Sequence, residues 1–285
     1  MAVEDGMGNA PKSIKGSDLR IIGIQGSPHT DGMTQRLVER ALAGAAREGA
    51  RTDLVRLAEE ELTPCESCGG DCFGTQVCVR DKTATVRHAR LQDADGVVFG
   101  APVYCWQLNG LSSLFIDKMR WNTGSLLSPR NHRVAFGIAC AGGSGTGCVI
   151  AVQALYRYFC NWAFHCVEPL PVTRFNFEEA LATAEERGAA MVRTLRAGLQ
   201  PFASMGQAIA HHQSLPYMQW GPIEELALIV DQIRCGLVGS QDPQAVEFAR
   251  QAAAATAPGP AAARAEALSA AYFAGVEAWG RLGRP

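Results

Sequence analysis

The sequence predicts an α/β protein built on a doubly wound, five-stranded parallel sheet with helices on both faces, followed by a helical C-terminal extension. Three observations carry that expectation. Apolar runs of strand length alternate with helical-period segments five times. Most of those runs are near-continuously apolar, as strands covered on both faces must be. The stretches just after the first, third and fourth runs are the richest in Gly, Ser, Thr and aromatic residues, as strand-end loops that gather a ligand should be.

The first run, Ile21 to Ile24, is short and β-branched; it breaks at Gly26-Ser27-Pro28, and a helix resumes near Met33 with Leu37, Val38 and Leu42 at helical spacing. Arg51 to Leu57 alternates and reads as the second strand, with a Cys- and Gly-rich loop from Thr63 to Arg80 after it. A helix over Thr83 to Gln92 leads to the fully apolar run Gly96 to Tyr104, a central strand. Asn109 to Arg120 is helical, Val134 to Cys140 is the fourth strand, and the loop Ala141 to Gly147 opens a helix over Val149 to Phe164. Val167 to Thr173 supplies the fifth strand and Glu178 to Leu199 a further helix. Residues 201–221 read as irregular, and three helices follow over Ile223 to Leu237, Pro243 to Ala255 and Ala262 to Leu282. The expected division is a disordered tail over 1–17, an α/β domain over 18–200, and a helical extension over 201–285 that serves as a lid or a subunit contact.

The chain has 285 residues, 47% of them hydrophobic and 19% charged, with a net charge of −2. That near-neutral balance argues against nucleic acid as a partner. The polar stretch Met1 to Ser17 has no apolar core of a signal peptide, and Cys148 to Phe164 is interrupted by Gln153, Arg157 and Asn161, so neither a membrane span nor export is expected and the location reads as cytoplasmic. Of ten cysteines, Cys140, Cys160, Cys166 and Cys235 read as small buried hydrophobes.

Strand, small-residue loop, helix start is the recipe for an anion site: backbone N–H groups of the loop and first helical turn point outward, and Ser27, Thr30 and Thr34 add hydroxyls. The competing account is an ordinary turn with Thr30 or Asp31 as an N-cap. A flavin's monophosphate is the anion expected there. Cys65, Cys68, Cys72 and Cys78, spaced C-x2-C-x3-C-x5-C, suit a [4Fe–4S] cluster, a tetrahedral zinc, or free thiols and a local disulfide; these alternatives stay open. G-G-S-G-T-G over 142–147 follows the wrong strand and lacks the acidic partner for a dinucleotide fingerprint. His211, His212 and Trp220 read as surface or interface residues of the extension. There is no separate His/Glu metal motif and no Gly-x-Ser-x-Gly elbow.

Three motifs, G-S-P-H-T-D-G-M-T over 26–34, the cysteine loop over 64–78, and G-A-P-V-Y-C-W-Q-L-N-G-L-S-S-L-F-I-D-K over 100–118, resemble the NADPH-dependent FMN reductase and iron–sulfur flavoprotein family. The resemblance spans about Arg20 to Leu199. It implies the flavodoxin-like fold with strand order 2-1-3-4-5, and FMN whose phosphate is held by Ser27 and Thr34 with the backbone from His29 to Met33. It further implies that Pro102, Val103, Tyr104, Cys105 and Trp106 border the isoalloxazine and that Gly142 and Gly143 line its other edge. Family members commonly carry Arg where this chain has His29 and Asn where it has Met33, and two residues rather than three between the second and third cysteines. The implied activity is an NAD(P)H oxidoreductase that passes hydride through flavin N5 to a small acceptor: a flavin, a quinone or a dedicated substrate. No side chain need act as acid or base; Cys105 and Trp106 are the nearest candidates to the reaction. The alternative is an iron–sulfur electron carrier serving protein partners. A homodimer or higher homo-oligomer is expected from the resemblance alone.

Overall fold

The computed structural model describes residues 19–75, 77–121 and 125–283. The expected tail over 1–17 lies outside them. Four parallel strands form the sheet's body: β1 (Arg20–Gln25), β2 (Arg51–Arg56), β3 (Gly96–Tyr104) and β5 (Val134–Ala141), in the order β2-β1-β3-β5. The fifth position is shared by two pieces, β6 (His165–Cys166) and β7 (Leu170–Thr173), both parallel to β5. The expected single strand from Val167 is therefore corrected. Pro169 has no N–H to give a ladder, and the edge position tolerates the interruption. The order 2-1-3-4-5 is otherwise the one observed, making this a flavodoxin-like sheet. A strand absent from the sequence expectation, β4 (Gln107–Leu108), folds back antiparallel on the end of β3.

Alternation along each strand sends side chains to two cores. Ile22, Ile24, Val97, Phe99 and Ala101 face the layer containing α4 (Gly110–Lys118) and α5 (Cys148–Asn161), where Phe115, Tyr156 and Phe159 meet them. Ile21, Val98, Phe136 and Ile138 face α1 (Met33–Arg47) and α6 (Phe177–Arg196). The helix α3 (Lys82–Gln92) closes the first layer through Leu91; the short α2 (Cys72–Thr75) lies within the cysteine loop.

The extension has a core of its own. Ile229, Ile233, Phe248, Leu268 and Trp279 join α8 (Pro222–Gly236), α9 (Pro243–Ala255) and α10 (Ala261–Arg281), and Phe175 ties them to the sheet layer. The expectation of an irregular stretch over 201–221 is corrected by a further helix, α7 (Met205–Ser214). Its signal was present: Ser204 and Gln207 have capping-box spacing, and the Ser204 hydroxyl accepts from Gln207 N at 3.2 Å. His212 is buried rather than a surface residue, and His211 is half-buried. His211 Nε2 accepts from Cys166 N at 3.1 Å, and His212 Nε2 stands 3.2 Å from the Phe164 carbonyl. Burial first, and then the neighbouring His211, push His212 down to about 4. Cys235, expected as buried, is exposed beside Asp231 and Arg234.

Candidate functional site

Because β1, β3 and β5 are parallel, the loops at their carboxyl ends open on one side of the sheet. The first is Gly26 to Gly32. Gly26 N donates to Gly100 O at 2.8 Å, and Gly26 O accepts from Asn109 Nδ2 at 2.7 Å, so the loop's base is bonded to β3 and to the cap of α4. Only glycine fits at 26, where a Cβ would run into Ser112 Oγ and approach the Gly100 carbonyl. Farther out, Gln25 Nε2 donates to His29 O at 2.9 Å and Ser27 Oγ accepts from His29 N at 3.1 Å. Ser27 is buried, whereas Pro28, His29 and Thr30 are exposed.

The loop ends at the α1 N-terminus, where Gly32, and not Thr30 or Asp31, is the cap residue. No side chain caps this helix and its first turn holds no acid, so its leading N–H groups keep their pull on an anion. Thr34 is buried and its hydroxyl lies against the Cys140 thiol, which leaves the backbone of Thr34, rather than its side chain, to the mouth. Burial drives that thiol up to about 12 despite the hydroxyl's opposing effect.

The second wall is the end of β3. Pro102 is buried, Val103 half-buried, Tyr104 and Cys105 are exposed, and Trp106 is 67% exposed. Tyr104 pairs with Gln107, so Cys105 and Trp106 form a two-residue hairpin turn. Both lie at left-handed φ, +48° and +64°. Such turns ordinarily use Asn-Gly, and a side chain there costs roughly 1–2 kcal/mol per residue. Strain combined with an exposed indole sets this tip apart from the rest of the strand end.

The third wall is the loop from Gly142 to Gly147. A Cβ on Gly142 would lie 3.5 Å from Met33 Sδ, which brings the first and third walls together. Gly143 has open space around it. The twelve residues expected to hold the cofactor thus lie on or beside the three loops at the carboxyl ends of β1, β3 and β5, with Ser27, Thr34 and Pro102 buried. Sequence reasoning missed Asn109 and Ser112 beneath them, although Asn before Gly-Leu-Ser is a recognisable N-cap signal; Asn109 Oδ1 accepts from Ser112 N at 3.4 Å.

The cysteine loop is a separate place. Cys65, Cys68, Cys72 and Cys78 line one cavity of about 200 Å³ with Arg80, Lys118 and Arg120. A backbone hydrogen bond from Gly70, helped by Arg80, lowers the Cys68 thiol. Among the described residues, however, no three potential ligands stand close enough to share an ion. Below the loop a buried pair anchors it: Lys118 Nζ lies 2.7 Å from Asp81 Oδ2 and bonds Thr63 Oγ1. Burial opposes ionisation of Asp81, but bonds from Lys118, Thr83, Ala84 and Thr63 outweigh it and hold the carboxyl far below its ordinary range.

Among the described residues no helix is long and apolar enough to cross a membrane. Comparison with known proteins places the chain in a family. Residues 19–174 match the family model described as NADPH-dependent FMN reductase. The chain is 31% identical over 143 residues to an iron–sulfur flavoprotein of Methanocaldococcus jannaschii, a match covering 50% of this chain and 72% of that one. It is 35% identical over 86 residues to an iron–sulfur flavoprotein of Methanosarcina thermophila, covering 30% of this chain and 44% of the relative. The fold is similar to that of RosB, solved with bound 8-demethyl-8-formylriboflavin-5′-phosphate, at a TM-score of 0.50 and 14% identity over 67% of this chain and 85% of RosB. With its first strand, phosphate-type loop and Pro-Val-Tyr strand end all inside the matched span, the chain belongs to the NADPH-dependent FMN reductase family, the FMN-binding flavodoxin-like group that includes relatives of the iron–sulfur flavoproteins.

Proposed function

We propose that the mouth holds FMN and that the chain oxidises NAD(P)H there and reduces a small acceptor, a flavin, a quinone or a dedicated organic substrate. The observation that carries this reading is the open α1 N-terminus, with neither cap nor first-turn acid, at the end of a loop already braced against β3. The residues fit the group. A phosphate would meet the first-turn amides of α1 and the loop around Ser27 to Gly32, with the exposed His29 beside them. Backbone at Pro102 to Trp106 and at Gly142 and Gly143 approaches closely enough, for want of bulky side chains at the glycines, to border a flat ring. FMN bound there supplies two-electron exchange with a nicotinamide and one- or two-electron exchange with an acceptor. Tyr104 and Trp106 then offer aromatic faces that orient a substrate and shed water from it. Nothing in this scheme needs a protonating side chain.

The test is an anaerobic titration with FMN followed by steady-state oxidation of NADPH and NADH. Tight FMN binding and turnover with a flavin or quinone, in the absence of any protein partner, are the expected results. A colourless protein that refuses FMN, or one reduced only by a ferredoxin-like protein, would be the contrary finding. Size-exclusion with light scattering tests the expected homodimer.

A second reading concerns the cysteine loop. Its four thiols line a single cavity beside three cations, which suits an anionic iron–sulfur cluster, and the curated relatives are named iron–sulfur flavoproteins. The donors fit but are not gathered, so a cluster would have to draw the loop together as it forms. No electron path through it is derived. Reconstitution with ferrous iron and sulfide should produce a broad absorbance shoulder that Cys72→Ser removes; free thiols that react quantitatively after the same treatment would count against it.

A further inference from the structure

The Gly142–Gly147 wall is held from behind by the extension, and one carboxylate makes the central contact. Glu225 on α8 is only 7% exposed. Its Oε2 accepts from Gly147 N at 3.1 Å and its Oε1 from Val149 N at 2.6 Å. These amides open α5, whose own cap residue, Gly147, has no side chain to offer. Glu225 therefore does from another helix what a local Ser or Asp ordinarily does. Tyr272 of α10 adds a hydrogen bond from its hydroxyl to Ser144 O at 3.0 Å, and Ile229 lies under Gly145. Leu228 and Tyr217 pack with Val103 against Ala141, Cys148 and Val149.

Gly147 passes the restraint on. It sits at φ +93°, and a Cβ there would collide with the Trp106 backbone. The carboxylate is thus one residue removed from the strained hairpin tip. Its charge also occupies the α5 N-terminus, whereas the α1 N-terminus on the same mouth stays open.

We propose that the C-terminal helices are a working part of the mouth, and that Glu225 is the positioning residue that fixes the Gly142–Gly147 loop against the Cys105–Trp106 hairpin and so sets how tightly FMN is clasped. This rests on the flavin reading above. Glu225 acts through Gly147 and Val149 and touches no reacting atom in that scheme.

The full chain and its Glu225→Ala, Glu225→Gln and Tyr272→Phe variants are compared by hydrogen–deuterium exchange without ligand, and then by FMN titration and NADPH kinetics. Glu225→Ala should speed exchange over 141–149 and raise the FMN Kd about tenfold, a typical coupling between linked sites. KM for NADPH should rise more than kcat falls, because the wall is loosened rather than the chemistry altered. Glu225→Gln keeps one acceptor and should fall between. Unchanged exchange, or faster exchange with the FMN Kd within twofold of the original, overturns the proposal, the latter by reducing Glu225 to a structural cap. If Glu225→Ala does not fold, Tyr272→Phe decides: about a threefold rise in Kd with faster exchange at Ser144 supports the clasp, and no change in either sinks it. Failure of the unmodified chain to bind FMN would end the flavin reading and the clasp together, and is distinguishable because it needs no variant.

Discussion

The Gly26–Gly32 loop and the Thr63–Arg80 loop have similar compositions, small, polar and glycine-bearing, yet they are built in opposite ways. The first is bonded at its base to Gly100 and Asn109, bridged internally by Gln25 and Ser27, and ends on an open helix terminus. Its amides are aimed before any ligand arrives. The second is tied chiefly at its foot, through Asp81, Lys118 and Thr63, while its thiols stay apart along an exposed cavity. Hydrogen-bonding chemistry can be preorganised by backbone alone; four thiolates repel one another and gather only around the cation that rewards them. The same fold thus carries one loop braced by hydrogen bonds and one whose thiols stand apart.

The largest effect should come from the foot of the cysteine loop. Lys118→Met leaves the Asp81 carboxylate buried without its cation, which ordinarily costs about 3–5 kcal/mol. Urea unfolding should show that loss, and proteolysis should cut first between Thr63 and Arg80. If the loop resists cleavage, its order comes from somewhere other than the buried pair, and the contrast between the loops weakens.

A smaller effect is expected at the braced loop. Gly26→Ala forces a methyl toward Ser112 Oγ and the Gly100 carbonyl, an overpacking that costs roughly 1–3 kcal/mol. FMN affinity should fall with it. Adding Ser112→Ala removes the colliding oxygen and should recover part of both, measured by denaturation and by flavin fluorescence. Full affinity in the single variant would show that the loop is softer than its hydrogen bonds suggest.

Acidification should separate the regions by the smallest margin. His165 and His212 are both lowered to about 4, by burial first and then by His211. The unfolded chain takes up those protons near pH 6.5, so the stability these residues lend is complete above that value and drains away toward pH 4. Asp81 has the same sign in a lower window: its contribution is complete above its ordinary value of 3.8 and is lost only as pH falls further. Between pH 6.5 and 4, α7 should loosen from Phe164 and Cys166 while the foot of the cysteine loop holds. Peptide-resolved proteolysis across that range checks the order of events.

Much of the site was legible because it is local. A strand, Gly-Ser-Pro and a helix start lie within fifteen residues, and the Pro-Val-Tyr strand end is one unbroken run, so pattern and turn chemistry locate both walls. The hairpin at Cys105 and Trp106 was not legible: neither residue type suits a left-handed turn, and only the pairing of Tyr104 with Gln107 puts them there. The α7 helix could have been read from Ser204 and Gln207 but was hidden by the absence of a strong apolar stripe.

The sequence by itself determined the alternation of strands and helices, the small-residue loop between β1 and α1 and the grouping of four cysteines, since each depends on neighbours along the chain. Only the tertiary structure decided that Glu225 caps α5 from 76 residues away, that Gly147 rests on Trp106, and that the thiols share a cavity without converging. Pro-Ile-Glu-Glu reads as an ordinary helix start, and a carboxylate's partner across two helices leaves no periodic mark. Spacing records what the backbone repeats, whereas contacts between distant segments are chosen by how the faces pack.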